Sequence, residues 1–417
     1  MNPGSKREIF GWSMYDVANS AYTTVVISFV YSAFFVDYIV PGASQAQGTY
    51  WSIAILGSTV LSMVLSPYIG RLIDRGFSKK KLLFTSTAIC SLFTALLALV
   101  SPGQIWLGIA IIFVSNATWM LGESINASFL SDLASKKNMG LVSGIAWGVG
   151  YLGGLLSMVI VVLLWVSAAA GTPEYVAQNQ SAMIVMAVFF MVFSLPTFLL
   201  VKDRRTPNPN PGMTLFTMVQ DHKLLTQFFI AFTFYMAGMQ AIIKFIGIYT
   251  SSVLGMSQQD LISVFLATQL SAFFGALAFG FIERALGAKR TILLSIGLWL
   301  VCVLSMYFLE NLAALFGMAP NTMFIFVALM AGSGMGSIQS ASRGVVGLVA
   351  PESEAGSSFG LWGFFVRAAS ILAVGFGVAF DIVGGRQALW VVIALFAIGG
   401  FLLWRLKSQA LENHKAA

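Results

Sequence analysis

Five ionisable side chains, Asp16, Glu123, Lys244, Arg343 and Arg367, sit within or at the ends of long apolar runs. A charged group in an apolar span costs about 2.5–3.5 kcal/mol on insertion scales, so each is a functional candidate by default. Their polar neighbours share a helical period. Trp12, Asp16, Asn19 and Thr23 recur every three or four residues, as do Asn116, Trp119, Glu123 and Asn126. The same spacing joins Thr233, Ala237, Gln240, Lys244, Gly247 and Ser251, and then Gly332, Gly336, Gln339 and Arg343. Each set lays one polar or small stripe along an otherwise apolar helix.

The chemistry open to these stripes is the binding of ions and small solutes. Burial disfavours the ionised form of Glu123, and a positive partner such as Lys244, Arg343 or Arg367 would favour it again. Glu123 is therefore the first candidate for carrying a proton; the competing reading is a structural ion pair with an arginine. Asp16 could bind a proton or hold a cation, or, near the end of its helix, fix packing or gating. Lys244 could attract a carboxylate or another anionic group of a solute, with Gln240 one turn deeper, or its long stem could snorkel to the interface. Arg343 fits an ion pair at a gate as well as a solute contact, and Arg367 is the remaining partner for an anion. Gly332 and Gly336 allow close helix approach or local unwinding.

The elements that must position these residues follow from composition. Of 417 residues, 58% are apolar and only 9% charged, with a mean hydropathy of +0.85. A soluble domain carries about 45–50% apolar and about 25% charged residues. There is too little charge here to cover a water-facing surface, which excludes a soluble enzyme and a disordered chain. The net charge of +7 lends nothing to nucleic-acid binding, because membrane proteins retain lysine and arginine on their cytoplasmic side. The expected fold is an all-α polytopic membrane protein. Twelve segments reach the roughly 20 apolar residues that a bilayer core requires: about 9–38, 49–70, 81–101, 104–130, 139–168, 181–201, 224–253, 258–282, 290–310, 320–344, 357–382 and 387–407. Backbone groups in lipid must be satisfied internally, which selects helices, and the alternation of a β-barrel is not found. Twenty of the 23 lysines and arginines fall on one side of this arrangement, which predicts that both termini are cytoplasmic.

Cys90 and Cys302 lie far apart inside apolar runs and read as small core residues. The sequence has no metal-ligand spacing, Walker loop, zinc-binding helix or nucleophile elbow, so no cofactor, metal or enzymatic activity is expected. The polar start, Met1 to Glu8, runs straight into a long apolar segment, and no removable signal peptide is expected. The long polar break at 202–223 carries Pro207, Pro209 and Pro211. It reads as a cytoplasmic linker between a six-helix bundle at 1–201 and a second at 224–417 with a short tail. A duplication is also visible. Glu123-Ser-Ile-Asn126 recurs as Gly336-Ser-Ile-Gln339, 213 residues on, and Asp74-Arg75-Gly76 corresponds to Glu283-Arg284 with Gly287, 209 residues on.

Gly70-Arg-Leu-Ile-Asp74-Arg75-Gly76, followed by Lys79 to Lys81, resembles the loop motif between helices two and three of the major facilitator superfamily, although its glycine directly follows the Asp-Arg pair. Four stretches resemble the vacuole-effluxer branch of that superfamily, which is related to autophagy-linked vacuolar amino-acid exporters. They are Gly11 to Tyr22, which contains Trp12, Asp16 and Asn19; Asn126 to Ala134; Ser143 to Gly154; and Gly336 to Arg343. Ser131 stands where the branch often has proline, and Ala237 where an aspartate is common. The resemblance implies two pseudo-symmetric six-helix bundles and efflux of amino acids or similar solutes. It also implies that Gly70, Asp74 and Arg75 latch the halves in the outward-open state. Lys79 to Lys81 read as ordinary cytoplasmic charge.

The expectation is a secondary active transporter in the cell (inner) membrane that moves a small polar solute by proton-coupled efflux or exchange. The alternative is a transporter-like sensor or a facilitative channel without ion coupling. The expected partners are a small-molecule substrate, protons and the bilayer, with no nucleic acid and the chain monomeric. The expected site comprises Asp16, Asn19, Glu123, Asn126, Gln240, Lys244, Gln339, Arg343 and Arg367.

Overall fold

The computed structural model describes residues 4–40, 47–169, 171–204, 212–407 and 411. The linker prolines Pro207, Pro209 and Pro211 and the tail at 408–410 and 412–417 lie outside the described residues. Among the described residues the chain is helical without strands, and 12 helices are long and apolar enough to cross a membrane. In chain order, spans 1 to 6 are Lys6–Ile39, Gly48–Asp74, Lys79–Leu99, Ile105–Leu133, Lys136–Val162 and Pro173–Leu200. Spans 7 to 12 are Lys223–Gly247, Asp260–Leu286, Ala288–Tyr307, Pro320–Val349, Glu352–Val383 and Gly385–Arg405. This is the architecture that hydropathy implies.

Local chemistry sets the ends of the spans. Ser5 and Glu8 form a capping box at the start of span 1, and Ser257 and Asp260 form another at span 8. Thr172 caps span 6, whose first residue is Pro173, and span 10 likewise opens on Pro320. Gly76, with φ of 93°, turns the chain between spans 2 and 3, a conformation open to glycine because it has no Cβ. Span 1 differs from the uniform helix that its length suggests. It widens to π geometry over Thr23–Phe29 and again over Phe35–Ile39. At the first of these, the Thr23 hydroxyl donates to the carbonyls of Asn19 and Ser20, competing for acceptors that the α ladder would use.

The residues group into two compact units. The first comprises Met1–Leu133, Val149–Gly212 and Glu352–Phe364; the second comprises Ala134–Gly148, Met213–Pro351 and Phe365–Ala417. Within the first unit, span 1 packs on span 6, span 2 on span 4, and span 3 on spans 4 and 6. Within the second, span 7 packs on span 12, span 8 on span 10, and span 9 on spans 10 and 12. The same pairing order therefore appears twice, as the sequence repeat predicts. Spans 8 and 10 approach closely because Gly332 and Gly336 face the backbone carbonyls of Thr268 and Ala272, where a Cβ would collide. Their role is packing within a continuous helix, not unwinding. Cys90 and Cys302 are both buried and free.

Candidate functional site

In the first unit, spans 1 and 4 run against each other through two reciprocal clamps. The Trp12 indole donates to the Asn126 carbonyl at 2.8 Å, and the Trp119 indole donates to the Asn19 carbonyl at 3.2 Å. Each tryptophan lies two turns from the asparagine on its own helix, so the clamps bracket the residues between them. Inside that bracket the Asn126 side-chain amide donates to Asp16 Oδ1 at 3.0 Å. Trp12, Asp16, Asn19 and Asn126 are all buried, while Glu123, one turn before Asn126 on the same face, is half-buried. Span 5 closes one side: a Cβ on Gly150 would lie 3.1 Å from the Asp16 carbonyl and from Ser20 Oγ.

Aromatic and hydroxyl groups hold this layer in place. Tyr22 stacks on Trp119 with centroids 5.6 Å apart, and its hydroxyl meets Ser115 Oγ at 2.5 Å. The Tyr15 hydroxyl reaches Thr87 Oγ1 at 3.1 Å, and Asn116 donates to Ser58 Oγ at 2.8 Å. The layer is thus built from oxygen acceptors and amides on rigid helices, a set suited to holding a cation or proton.

At the basic end of the same unit, Asp74 terminates span 2 and faces the start of span 11. Its carboxylate accepts from the Gly356 amide at 2.7 Å, from the Ser357 amide at 2.8 Å and from the Ser357 hydroxyl. A helix N-terminus with free N–H groups is a ready anion site. Gly70 allows the approach, because a Cβ there would run into the Gly356 carbonyl. Arg75 is exposed. Lys79 departs from its reading as solvated charge. It is buried, pairs with Asp132 at 2.8 Å, donates to the Ser128 carbonyl at 3.2 Å and lies over the Phe129 ring. Lys80 donates to the Val201 carbonyl at 2.9 Å.

In the second unit the candidates divide into two groups. On spans 7 and 11, Lys244 is exposed and donates to the Ser370 carbonyl at 2.9 Å and hydroxyl at 2.6 Å. Arg367, one turn before Ser370, is buried, and Gln240 is half-buried one turn from Lys244. Near the start of span 5, the Arg343 guanidinium of span 10 donates from Nε to Ser143 Oγ at 3.0 Å and from Nη2 to the Ser143 carbonyl at 3.1 Å, and it covers the Trp147 ring. Gln339, one turn earlier, is half-buried. The structure also adds a residue absent from the sequence-derived site. Glu283, at the end of span 8, is 2% exposed, its Oε1 accepts from no protein donor, and its carboxyl occupies the space a Cβ on Gly140 would take. The repeat offset linking it to Asp74 is the sequence signal that marks it.

The model of the vacuole effluxer Atg22-like family matches residues 49–414. The chain belongs to that family. An uncharacterised MFS-type transporter, YxiO of Bacillus subtilis (strain 168), is 27% identical over 410 residues, covering 94% of this chain and 93% of that protein. Among solved structures, the fold is similar to the proton:xylose symporter XylE (TM-score 0.73, 11% identity, 97% and 95% coverage). It is also similar to the transporter FucP in its outward conformation (TM-score 0.72, 14% identity, 96% and 98% coverage). The protein is an integral membrane transporter of the major facilitator type. Within the matched region, Asn126 to Ala134 supplies Asn126 and the Asp132 partner of Lys79, while Trp12, Asp16 and Asn19 precede it.

Proposed function

We propose that the protein is a secondary active transporter of a small polar solute, an amino acid or similar metabolite, that works by alternating access and is driven by cation movement through the layer between spans 1 and 4. The observation that carries this reading is the Asp16–Asn126 hydrogen bond held between two indole clamps beside Glu123. A transporter without coupling has no need to bury a carboxylate there, since doing so costs free energy. Glu123, half-buried one turn before Asn126, is assigned the coupling proton. Lys244, Gln240 and Arg367 form the counterpart for an anionic group of the solute. The positive-inside distribution supports a cell-membrane protein with both termini and the 202–223 linker in the cytoplasm, and six-helix bundles on either side of that linker. The protein acts as a monomer and is not an enzyme.

Solute uptake into proteoliposomes under an imposed pH gradient tests this. The wild type accumulates solute, whereas Glu123→Gln loses gradient-driven accumulation and keeps solute counterflow. Full gradient-driven uptake by the variant would remove Glu123 from coupling. Downhill flux insensitive to any ion gradient would favour a facilitative channel, and absence of flux with retained solute binding would favour a sensor.

A further inference from the structure

We propose that the corner formed by Asp16, Asn19 and Asn126 is a binding site for an alkali metal cation of the Na+ class. Asn19 and Asn126 are 9% and 1% exposed, and neither Asn19 Oδ1 nor Asn126 Oδ1 accepts a hydrogen bond from the protein. A buried acceptor without a donor is rare in native structures and calls for an ion or another positive group. Both asparagines neighbour Asp16, Asn126 through a hydrogen bond and Asn19 one helical turn along span 1. Asn126 spends its amide N–H on Asp16 Oδ1, which leaves its own buried oxygen without a protein donor. Asn19 is one turn from Asp16 on the same helical face, and its carbonyl is held by Trp119 of the opposing helix.

The donor chemistry selects the occupant. A carboxylate and neutral amide oxygens form a hard oxygen set, and hard oxygen ligands suit a hard cation. Among the described residues no group of three or more His, Cys, Asp or Glu side chains could hold a metal, which separates this corner from a transition-metal site. One turn beyond Asn19, span 1 leaves α geometry at Thr23–Phe29. Helices interrupted near the middle of a span are where transporters hold coupling cations, and π segments cluster at functional sites. The reading deepens the proposed function by naming a cation, but binding itself does not depend on transport.

The test uses the full-length protein in detergent, with thermal unfolding followed as NaCl replaces choline chloride at constant ionic strength. The wild type should show a saturable rise in unfolding temperature with Na+. Asn19→Ala, which leaves the backbone clamp to Trp119 intact, should raise the Na+ concentration at half-effect at least tenfold, and Asn126→Ala should abolish the shift. Asn179→Ala, at a buried asparagine of span 6 that donates to the Tyr175 carbonyl, should leave the Na+ midpoint unchanged. Equal stability in Na+ and choline, or an unchanged midpoint in Asn19→Ala, would overturn the proposal. So would a shift produced by methylammonium and not by Na+, which would assign the corner to an organic ammonium group. Retained Na+ binding with no solute flux would refute the transport reading alone.

Discussion

Asp74 and Glu283 end spans 2 and 8 at positions related by the internal repeat, and each lies beside the start of another helix. Asp74 accepts from two backbone amides and one hydroxyl at the beginning of span 11. Glu283 is as deeply buried, yet its Oε1 accepts from no donor, and its carboxyl lies over Gly140 and Gly344. The charged groups on the elements around Glu283 are engaged or exposed. Arg343 donates to Ser143 and Lys289 to the Leu406 carbonyl, whereas Lys136, Lys137 and Arg284 are exposed. Glutamate has one methylene more than aspartate, and the helix beside Glu283 presents Gly140 to its carboxyl where span 11 presents the Gly356 and Ser357 donors to Asp74. Duplication preserved the position of the acid, while the residues opposite decide whether it serves as a helix anchor.

The largest effect should come from removing the anchor. Asp74→Asn weakens or loses three hydrogen bonds and leaves buried donors, and it should destabilise the protein by about 3 kcal/mol. Thermal unfolding in detergent measures this; wild-type stability in the variant would show that the anchor is dispensable. Gly140→Ala should cost about 1–3 kcal/mol, because the new Cβ meets the Glu283 carboxyl. Glu283→Ala in the same chain should relieve most of that cost, and a double-mutant cycle showing strict additivity would break the assigned contact. Glu283→Gln should have the smallest effect, within about 1 kcal/mol of wild type, since no donor is lost when the carboxylate goes. A loss as large as that of Asp74→Asn would mean that the two acids are held alike.

Much of the candidate site is legible before folding. The stripes that contain Asp16, Asn19, Glu123 and Asn126 follow from helical period alone, and the structure joins Asp16 to Asn126 and the Asn19 carbonyl to Trp119 across spans 1 and 4. Lys79 shows why other features are not legible. Its place in a run of three lysines suggests solvated charge, yet a buried aspartate 53 residues away makes it an ion pair. Glu283 is similar: proximity to a loop suggests exposure, and only the packing of spans 5 and 10 around it buries the carboxyl. The separation of Arg343 from the Lys244 and Arg367 group is likewise invisible, because equal helical phase says nothing about which neighbour a face meets.

Hydropathy and helical period act over a few turns, and they suffice to place twelve spans and their polar faces, although span 6 begins at Pro173, eight residues before the apolar run at 181–201. Long-range pairing is a different kind of information. That the Asn126 amide meets Asp16, 110 residues away, that two tryptophans cross-clamp the same pair of helices, and that span 1 widens beside them depends on which apolar surfaces pack together. Side-chain fit between helices selects that arrangement, because in lipid the hydrophobic effect does not discriminate among spans that are all apolar, and close packing and buried hydrogen bonds must do so instead.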